Sequence, residues 1–584
     1  MTPDEIREKI IQTVSRNGGH LASSLGAVEI AIALSEVFDP EVDRIVWDVG
    51  HQAYAWKILT GRFESFSTLR RFGGMSGFPN PAESPCDAAV AGHAGVALSV
   101  AEGYAAARDI RGSSENVVAV VGDSSLVNGT SFEALNNCSA ATAKVILVLN
   151  DNGMSISKPT GSFSRFLGRL ISGVRYNRVK AAAEKAGHVM KLTFLRSIYH
   201  NFESRLKSLF LGNRYFEQFG LRYIGPVDGH DVQALKSAFT VAKEDKRSVI
   251  VHVVTKKGKG FAPAEKSPTY WHGVGPFDIE AAKSHQTSAR ASSRTWSDVF
   301  GSCLVASAEK DPRIVALTAG MSEGTGLSEF ASRFRNRFFD VGIAEGHMVS
   351  FAAGLAAGGM RPVVAVYSTF LQRAADQVMH DVAIANLPVV FCVDRAGLVG
   401  ADGVTHQGLY DISMLKAIPN LAICQPRDAE DFKSLLDEAL ERSGPTIIRY
   451  PRGVAAEKVA VCPDRPNAEL AIFATGDEYV KASLLGDMFG AEVVHARYIK
   501  PFDKAKIAEL KSKGIKIATI ENGSALGGLG ETVGADFIFA WPDEFIPHGD
   551  VASLEKAYSF DVESIASRLE NAGFKRISKE NMNG

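Results

Sequence analysis

VGDSSLVNGTSFEALNNCSAATAKVILVLNDN, residues 121–152, decides the fold of this chain. An apolar run, Val117 to Val121, leads into it, and a second run, Val145 to Leu149, lies near its end, with a helical stretch between them. Short apolar runs bounded by turn residues predict buried strands. Strands that alternate with helices predict a parallel sheet covered on both faces, so we expect an α/β fold.

Polar groups follow both predicted strands. Asp123 comes after the first strand and Asn152 after the second. The carboxyl ends of parallel strands meet at one edge of the sheet, where α/β proteins bind ligands. A carboxylate and an amide oxygen there suit a hard cation such as Mg²⁺, completed by phosphate oxygens. Gly-Asp and Asn-Asp-Asn are also ordinary turn sequences, so these residues alone leave both interpretations open.

The composition is that of a globular protein with several domains. The chain has 584 residues and a formal net charge of −2, which gives no general attraction to nucleic acid or to an acidic membrane. Its six cysteines form no CxxC pair, so we expect neither a disulfide framework nor a zinc site. The N-terminus predicts a charged amphipathic helix instead of a signal or transit peptide, and no apolar run spans a bilayer. We therefore expect a cytoplasmic protein.

Polar linkers divide the chain into three predicted α/β domains, over residues 1–288, 295–456 and 467–584. Further predicted strands are listed here: Ile45–Asp48, Val249–Val254, Ile314–Leu317, Val363–Val366, Val389–Val393, Ala422–Gln425 and Leu470–Phe473. Residues 157–216 break the strand-helix rhythm. We expect them to form a partly helical excursion with the role of a lid over the active-site edge.

A second group of candidate residues lies in the region 295–456. VGIAEGH, residues 341–347, places Glu345 before a helix rich in small residues, where a solvated acidic residue is equally favourable. VYSTFLQRAADQ, residues 366–377, follows, and its Phe370 has core packing as the ordinary alternative. The glycine-rich loop DRAGLVGADGVTHQG, residues 394–408, and RYPRG, residues 449–453, offer charged groups beside flexible backbone, which indicates a ligand site.

Four histidines in the first region have glycine neighbours in loop-like segments: His20, His51, His93 and His272. A single loop histidine is usually solvated and idle. Four in the region that carries Asp123 favour a site with polar and proton-transfer duties.

Eleven motifs together make the chain resemble the 1-deoxy-D-xylulose-5-phosphate synthases, a family of transketolase-like thiamine-diphosphate enzymes. They are GGHLASSLG, WDVGHQAYAWKILTGR, SGFPNPAES, EALNN, NDNGMSIS, GPVDGHD, KGKGFAPAEK, VGIAEGH, YSTFLQRAADQ, DRAGLVGADGVTHQG and YPRG. The resemblance implies three domains: one for the cofactor's diphosphate, one for its pyrimidine, and a transketolase-like C-terminal domain. It also implies a homodimer that condenses pyruvate with D-glyceraldehyde 3-phosphate and releases CO₂, with thiamine diphosphate and Mg²⁺ as cofactors.

The resemblance further implies a role for each matching residue. The metal would be held by Asp123, Asn152 and the Met154 carbonyl. The cofactor would be contacted by His51, His93, Gly122, Asp123, Ser124, Ser125, Asn152, Met154, Ile343, Glu345, Phe370 and Arg373. The substrates would be held by His20, Tyr367, Arg395, Asp402, His406 and Arg452. Catalysis would involve Glu345, which activates the cofactor, with His406, His272, His20, His51 and Asp402, the last supporting His406.

Some positions depart from the family pattern. Ser124 replaces the glycine of GDG, Gly153 a common glutamate, Gly346 a glutamine and Ala375 a tyrosine. They leave two alternatives open within the same cofactor class: a carboligase with another acceptor, and a cofactor-binding paralog without activity. A nucleotide-binding protein is disfavoured, because no phosphate-loop motif or dinucleotide fingerprint follows a predicted strand.

Overall fold

The computed structural model describes residues 1–153, 162, 212–284 and 293–577. The chain forms two compact units. The first consists of Met1–Leu69 and Gly74–Thr287, and the second of Arg70–Gly73 and Ser288–Gly584. The short segment Arg70–Gly73 thus leaves its sequence neighbours and belongs to the second unit.

The first unit contains a parallel sheet of five strands in the order β1-β2-β3-β5-β4. The strands are β1 (Arg44–Trp47), β2 (Val117–Gly122), β3 (Ile146–Asp151), β4 (Arg222–Asp228) and β5 (Val249–Val254). Every residue of β3 is buried, as its continuous apolar run predicts for a strand covered on both faces. Four of these strands were expected from the sequence, whereas β4 was not.

Helices cover both faces of this sheet. Their bounds are Pro3–Asn17, Leu21–Gly26, Val28–Val37, Tyr54–Lys57, Ala97–Arg111, Asp123–Leu126, Gly129–Ala141, Gly212–Glu217, Val232–Glu244, Ala262–Lys266 and Ile279–Lys283, with a π turn at Ile58–Arg62 and a 3₁₀ turn at Ser65–Thr68. The first helix is the predicted N-terminal one, and it begins with a capping box made by Thr2 and Glu5.

The second unit contains a sheet of seven strands in the order β14-β10-β11-β9-β8-β6-β7. They are β6 (Ile314–Thr318), β7 (Phe338–Asp340), β8 (Arg361–Tyr367), β9 (Val390–Asp394), β10 (Ala422–Cys424), β11 (Thr446–Arg449) and β14 (Tyr498–Lys500). All neighbours pair in parallel except β14, which runs antiparallel to β10. The edge strand β14 comes from beyond the predicted boundary at residue 467.

A parallel sheet of four strands, β13-β12-β15-β16, also belongs to the second unit. Its strands are β12 (Leu470–Ala474), β13 (Glu492–His495), β15 (Lys516–Ser524) and β16 (Phe537–Trp541). The α/β fold with mainly parallel sheets is therefore confirmed. The exact domain bounds remain a prediction.

The helices of the second unit are Trp296–Lys310, Ser328–Arg333, Glu345–Ala357, Ser368–Leu371, Ala375–Gln377, Asp411–Leu415, Ala429–Glu441, Tyr479–Phe489, Lys504–Ser512, Leu529–Val533, Val551–Ala557 and Val562–Asn571. Shorter 3₁₀ or π turns occupy Arg335–Arg337, Gln372–Ala374, Val378–Ala383, Gly403–Thr405 and Gly476–Glu478.

Two further expectations concern cysteines and membranes. All six cysteines are free thiols, as expected. Within the described ranges, no helix combines the length and the apolar character needed to cross a bilayer. Nearly all of the expected excursion at 157–216, including its proposed lid role, lies outside the described residues, and so does Met154.

Candidate active site

Asp123 lies at the carboxyl edge of the five-stranded sheet, as expected. It begins the helix Asp123–Leu126 directly after β2, and Asn152 follows the adjacent strand β3. The register pairs Gly122 with Asn150, so both polar residues leave the sheet at the same edge. The sequence predicted that Asp123 and Asn152 follow adjacent parallel strands at one edge of the sheet, and the strand register agrees.

A cluster of charged groups surrounds Asp123. Burial raises the pKa of Asp123 to about 8, the carboxylate of Asp151 adds to the rise, and Lys257 opposes it. Burial also lowers the pKa of Lys257 to about 8, against the favourable charge of Asp123. Deprotonated, Asp123 has a carboxylate neighbour in Asp151, and a bound cation would relieve their repulsion.

The donor set at this edge fits a cation that phosphate oxygens complete. Among the described residues, no group of three or more His, Cys, Asp or Glu side chains is arranged to hold a metal. Asp123 and Asn152 offer one carboxylate and one amide oxygen, which matches Mg²⁺ sites that use few protein ligands and the phosphates of a cofactor.

Asp48 fixes the loop that carries His93. It follows β1, and its carboxylate accepts hydrogen bonds from the amides of Gly95 (2.9 Å), Val96 (3.1 Å) and Ala97 (3.1 Å). Burial raises the pKa of Asp48, while these amides and the Ser125 hydroxyl favour its ionised form. The loop with half-buried His93 is therefore anchored at the same edge as Ser125.

Three of the four predicted histidines form one half-buried cluster. The ring centroids of His20, His51 and His272 lie 5.3–6.2 Å apart, and Phe78 packs against His20 at 5.3 Å. Burial, with the nearby positive charge of Lys257, depresses the pKa of His51 and of His272 well below the ordinary range. These imidazoles are neutral at pH 7, so they can accept a proton.

Serine side chains bond two members of the histidine cluster, and a ring nitrogen of His51 has no partner among the described residues. His272 Nδ1 lies 3.2 Å from Ser23 Oγ, and the His51 carbonyl accepts a bond from Ser24 Oγ. His51 Nδ1 is buried and has no hydrogen-bond partner among the described residues. A buried polar atom without a partner commonly marks the place where a ligand completes the bonding.

Two departures from the family pattern also lie at this edge of the sheet. Ser124 Oγ is buried without a hydrogen-bond partner among the described residues. Gly153 has φ +64°, and its amide donates to Asp151 Oδ1 at 3.1 Å. A glutamate at position 153 would be strained by that left-handed backbone, which accounts for the glycine.

In the second unit, Glu345 begins the helix Glu345–Ala357 and is buried. The loop before it, which contains half-buried Ile343, is held by Asp340, whose carboxylate accepts from the amides of Gly320 (2.7 Å) and Gly342 (3.0 Å). Burial raises the pKa of Glu345, and Arg373, with Nε 3.7 Å from Glu345 Oε2, opposes that rise. Gly346 leaves little room for a side chain, since an added Cβ would lie 3.3 Å from Gln377 Oε1.

The predicted substrate residues of the second unit form a contiguous group. Tyr367 stacks on Phe370 with ring centroids 5.8 Å apart, and Phe370 meets His406 edge-on at 5.7 Å. The Arg395 guanidinium lies 3.7 Å above the Tyr367 ring, and it also forms an ion pair with buried Asp394 at 3.0 Å. Arg395 has φ +56°, which is an uncommon backbone conformation for a residue other than glycine. The contacts of its side chain in this cluster hold the residue in that conformation.

Asp402 lies between two arginines of the same unit. It forms an ion pair with Arg70 and another with Arg452, whose Nη1 is 3.6 Å from Asp402 Oδ2. His406 Nδ1 lies 2.9 Å from Thr405 Oγ1. The expected support of His406 by Asp402 stays a prediction, because the structure shows Asp402 engaged with the arginines.

Sequence reasoning missed four residues of these clusters. Lys257 was quoted only as part of KGKGFAPAEK, although a lysine among glycines is a signal for anion binding. Asp48 directly follows the strand β1, as Asp123 follows β2, and Asp394 is the last residue of β9. The rule that ligands bind at the carboxyl ends of parallel strands would have found both. Arg70 carries no local signal, because its pairing with Asp402 spans 332 positions.

The chain matches three family models. Residues 292–457 match the transketolase pyrimidine-binding domain and residues 461–565 the transketolase C-terminal domain. The protein is thus a transferase of the transketolase type. Residues 2–255 match the 1-deoxy-D-xylulose-5-phosphate synthase model.

Curated relatives agree with the models. The chain is 46% identical to 1-deoxy-D-xylulose-5-phosphate synthase of Syntrophotalea carbinolica, across 97% of this chain and 94% of that protein. It is 43% identical to the synthase of Natranaerobius thermophilus over the same shares. A solved transketolase from Campylobacter jejuni is 16% identical, with a TM-score of 0.45 over 97% of this chain and 98% of that one. The chain belongs to the 1-deoxy-D-xylulose-5-phosphate synthase family, which confirms the resemblance seen in the sequence.

Proposed function

We propose that this protein condenses pyruvate with D-glyceraldehyde 3-phosphate, releases CO₂ and forms 1-deoxy-D-xylulose 5-phosphate, a precursor for isoprenoids and thiamine. The observation that carries this proposal is the identity of more than 40% to synthases over nearly the whole chain. Glu345 and Asp123 are both retained and buried, which argues against a paralog without activity.

In the first unit, Asp123, Asn152 and the Met154 carbonyl would hold Mg²⁺, and the metal would bind the diphosphate of thiamine diphosphate. Lys257 and the amides after Gly122, including those of Ser124 and Ser125, would add positive charge and hydrogen-bond donors. Ser124 Oγ and His51 Nδ1 have no hydrogen-bond partner in the part of the chain that the structure describes, so both are available to such a ligand. His93 would contact the same cofactor.

In the second unit, Glu345 would hydrogen-bond the cofactor's pyrimidine, with Ile343, Phe370 and Arg373 beside the ring. Bound there, thiamine diphosphate supplies the nucleophilic carbon for the pyruvate ketone and the electron sink for loss of CO₂. Because burial raises the pKa of Glu345, its carboxyl is suited to share a proton with a ring nitrogen.

Proton transfer would fall to the neutral histidines. Burial depresses the pKa values of His272 and His51, so both imidazoles are neutral near pH 7 and each has a ring nitrogen that can accept a proton. His20 and His406 would contact the reacting carbons, with Asp402 contributing to the position of His406.

The acceptor's phosphate would be held by Arg395, Arg452 and Tyr367. The guanidinium groups match phosphate oxygens in geometry and charge. A fixed phosphate orients the aldehyde carbon, and orientation of this kind lowers the barrier by several kcal/mol. A homodimer and a cytoplasmic location complete the proposal.

The direct test supplies the purified protein with thiamine diphosphate, Mg²⁺, pyruvate and D-glyceraldehyde 3-phosphate. We expect one CO₂ released and one aldehyde consumed for each ketose phosphate identified by mass spectrometry. Release of CO₂ without aldehyde consumption would favour a carboligase with another acceptor. No CO₂ release in the presence of bound cofactor would favour the inactive paralog.

A further inference from the structure

The loop at residues 394–408 carries three of the proposed substrate residues, Arg395, Asp402 and His406. It has little regular structure, apart from the 3₁₀ turn Gly403–Thr405 and a two-residue bridge in which Gly397 and Gly408 exchange amide–carbonyl bonds of 2.7 and 2.8 Å. Its backbone must be held by other groups, because a loop defines a site only when a rigid scaffold positions it.

One of those groups comes from the four-stranded sheet. Asn522, a buried residue of β15, accepts a hydrogen bond on Oδ1 from the Leu398 amide at 2.8 Å. The same oxygen accepts from Trp541 Nε1 at 2.9 Å, on the neighbouring strand β16. Both donors reach one atom, so that atom is the amide oxygen and its orientation is fixed.

The backbone of Asn522 is fixed as well. Its carbonyl accepts from Arg449 Nη2 at 3.1 Å, and fully buried Arg449 also pairs with both oxygens of Asp411 at 3.0 Å. Asn522 therefore sits on a rigid element that joins both sheets of the second unit.

The middle of the loop is held by a second amide. Gln407 Oε1 accepts from the amides of Val399 (2.7 Å) and Gly400 (3.2 Å), and Gln407 Nε2 donates to the Pro547 carbonyl at 3.2 Å. The segment after β16 thus adds a second contact to the loop, through the Pro547 carbonyl.

Three glycines permit this close packing. Gly397, Gly400 and Gly403 have φ values of +84°, +91° and +69°. An added Cβ would lie 2.4 Å from Asn522 Cγ at the first, 2.9 Å from the Gly549 carbonyl at the second and 2.9 Å from His548 Cβ at the third. Close packing against Asn522, His548 and Gly549 therefore explains the three glycines, whether or not a ligand also approaches the loop.

We infer that Asn522 is a positioning residue for the acceptor aldehyde, because it fixes the substrate loop 394–408 to the four-stranded sheet. The inference rests on the proposed function and gives the four-stranded sheet a part in the reaction. Asn522 contacts no proposed reacting group itself and acts through the Leu398 amide.

The test compares Asn522→Leu with Asn522→Asp in the full-length enzyme. Leucine has a similar size but no acceptor, so the Leu398 amide and the Trp541 indole lose their partner. Aspartate keeps an acceptor for both donors. Thr519→Val is the matched control: Thr519 is fully buried on the same strand, its Oγ1 has no hydrogen-bond partner among the described residues, and valine keeps its shape.

We expect Asn522→Leu to raise KM for D-glyceraldehyde 3-phosphate roughly tenfold or more, with cofactor affinity unchanged. Asn522→Asp should restore KM to within about threefold of the unaltered enzyme, and Thr519→Val should leave it unchanged. An unaltered KM in Asn522→Leu, or equal losses in all three variants, would overturn the inference.

Hydrogen exchange of the segment 397–408 gives a readout that does not depend on activity. Exchange should be faster in Asn522→Leu than in Asn522→Asp or Thr519→Val, and equal rates would overturn the inference even if the enzyme is active. Asn522→Ala carries the same prediction if the leucine variant does not fold. If the unaltered protein makes no ketose phosphate, the proposed function is wrong. The exchange measurement would then still test whether Asn522 holds the Leu398 amide and the loop around it.

Discussion

Arg373 Nε lies 3.7 Å from Glu345 Oε2, and the Glu345 side chain in this pair is only 5% exposed. This separation is longer than a hydrogen bond, so Arg373 Nε places a positive charge near the carboxyl group without donating a hydrogen bond to Oε2. Burial raises the pKa of Glu345 and Arg373 limits the rise. Glu345 therefore takes up a proton more readily than an exposed glutamate does, which suits a group that shares a proton with a cofactor.

Replacement of Glu345 tests that role. Because a positioned acid-base group contributes about 10²–10⁴-fold to a rate, Glu345→Gln and Glu345→Ala should each lower CO₂ release by at least about 10²-fold. Mg²⁺-dependent binding of thiamine diphosphate, measured by calorimetry, should stay within about threefold, because the residues proposed to hold the metal and the diphosphate belong to the first unit. Undiminished turnover in either variant would refute the assignment.

The arginines of the second unit should act on the phosphate of the acceptor. Arg452→Met and Arg395→Met should each raise KM for D-glyceraldehyde 3-phosphate by about ten- to a hundredfold, the worth of a hydrogen bond to a charged group. The KM for D-glyceraldehyde, which lacks the phosphate, serves as the control and should hardly change. Equal losses with both aldehydes would show that these arginines shape the loop and do not bind phosphate.

Glu102 gives a prediction about pH. It is buried beside Cys138, and burial raises its pKa to about 7, with the Cys138 contact opposing the rise. Because the pKa of Glu102 is higher in the folded state than in the unfolded state, ionisation of Glu102 destabilises the folded state. The free energy of unfolding therefore falls as pH rises from about 4.5 to 7, and the whole loss is present above pH 7. Glu102→Gln should therefore be more stable than the unaltered protein at pH 8 by about 2–3 kcal/mol, and similar to it at pH 4.5.

Thermal unfolding midpoints at both pH values measure this difference. Glu133→Gln is the control, because Glu133 is exposed on the helix that carries Cys138 and should show no such dependence. A Glu102→Gln midpoint that exceeds the unaltered one equally at both pH values would show that lost charge is not the cause.

The sequence predicted those parts of the fold that local patterns encode. The continuous apolar runs at β2, β3 and β5 give strands by themselves, and each strand end delivers a polar residue to the sheet edge. The strand β4 contains Gly225 and Pro226 and is only half-buried, so it lacked that signal. The edge strand β14 has three residues, and its antiparallel pairing with β10 depends on contacts about 75 positions apart.

For the candidate residues too, local motifs were recognised and contacts between distant parts of the sequence were not. Motif recognition found Tyr367, Phe370, Arg395 and His406, and the structure brings them together. It did not find Arg70, because nothing near TLRRFGG indicates that this arginine leaves the first unit and pairs with Asp402 in the second. The predicted support of His406 by Asp402 stays a prediction, and the ion pairs of Asp402 depend on the three-dimensional placement of Arg70 and Arg452.

A buried ion network predicts a large loss of stability. Arg62 donates two hydrogen bonds to Asp87, at 2.7 and 2.8 Å, and Lys57 pairs with Glu83 at 2.7 Å. Arg62→Met would leave Asp87 buried without its main partner, which typically costs about 3–5 kcal/mol. The free energy of unfolding in urea should fall by that amount.

Arg111 offers a surface comparison for the same experiment. It pairs with Glu115, which lies four positions further along, beyond the end of the helix Ala97–Arg111, and the Arg111 side chain is 58% exposed. Arg111→Met should cost no more than about 0.5 kcal/mol. If Arg62→Met and Arg111→Met lower the free energy of unfolding equally, solvent screens the Arg62 network.

The fate of carbon 2 of pyruvate tests the central claim most directly. With [2-¹³C]pyruvate, D-glyceraldehyde 3-phosphate, thiamine diphosphate and Mg²⁺, carbon NMR should show the label as the ketone carbon of a five-carbon 1-deoxyketose phosphate, bonded to the former aldehyde carbon. Label found only in acetaldehyde, acetolactate or unreacted pyruvate would contradict the account.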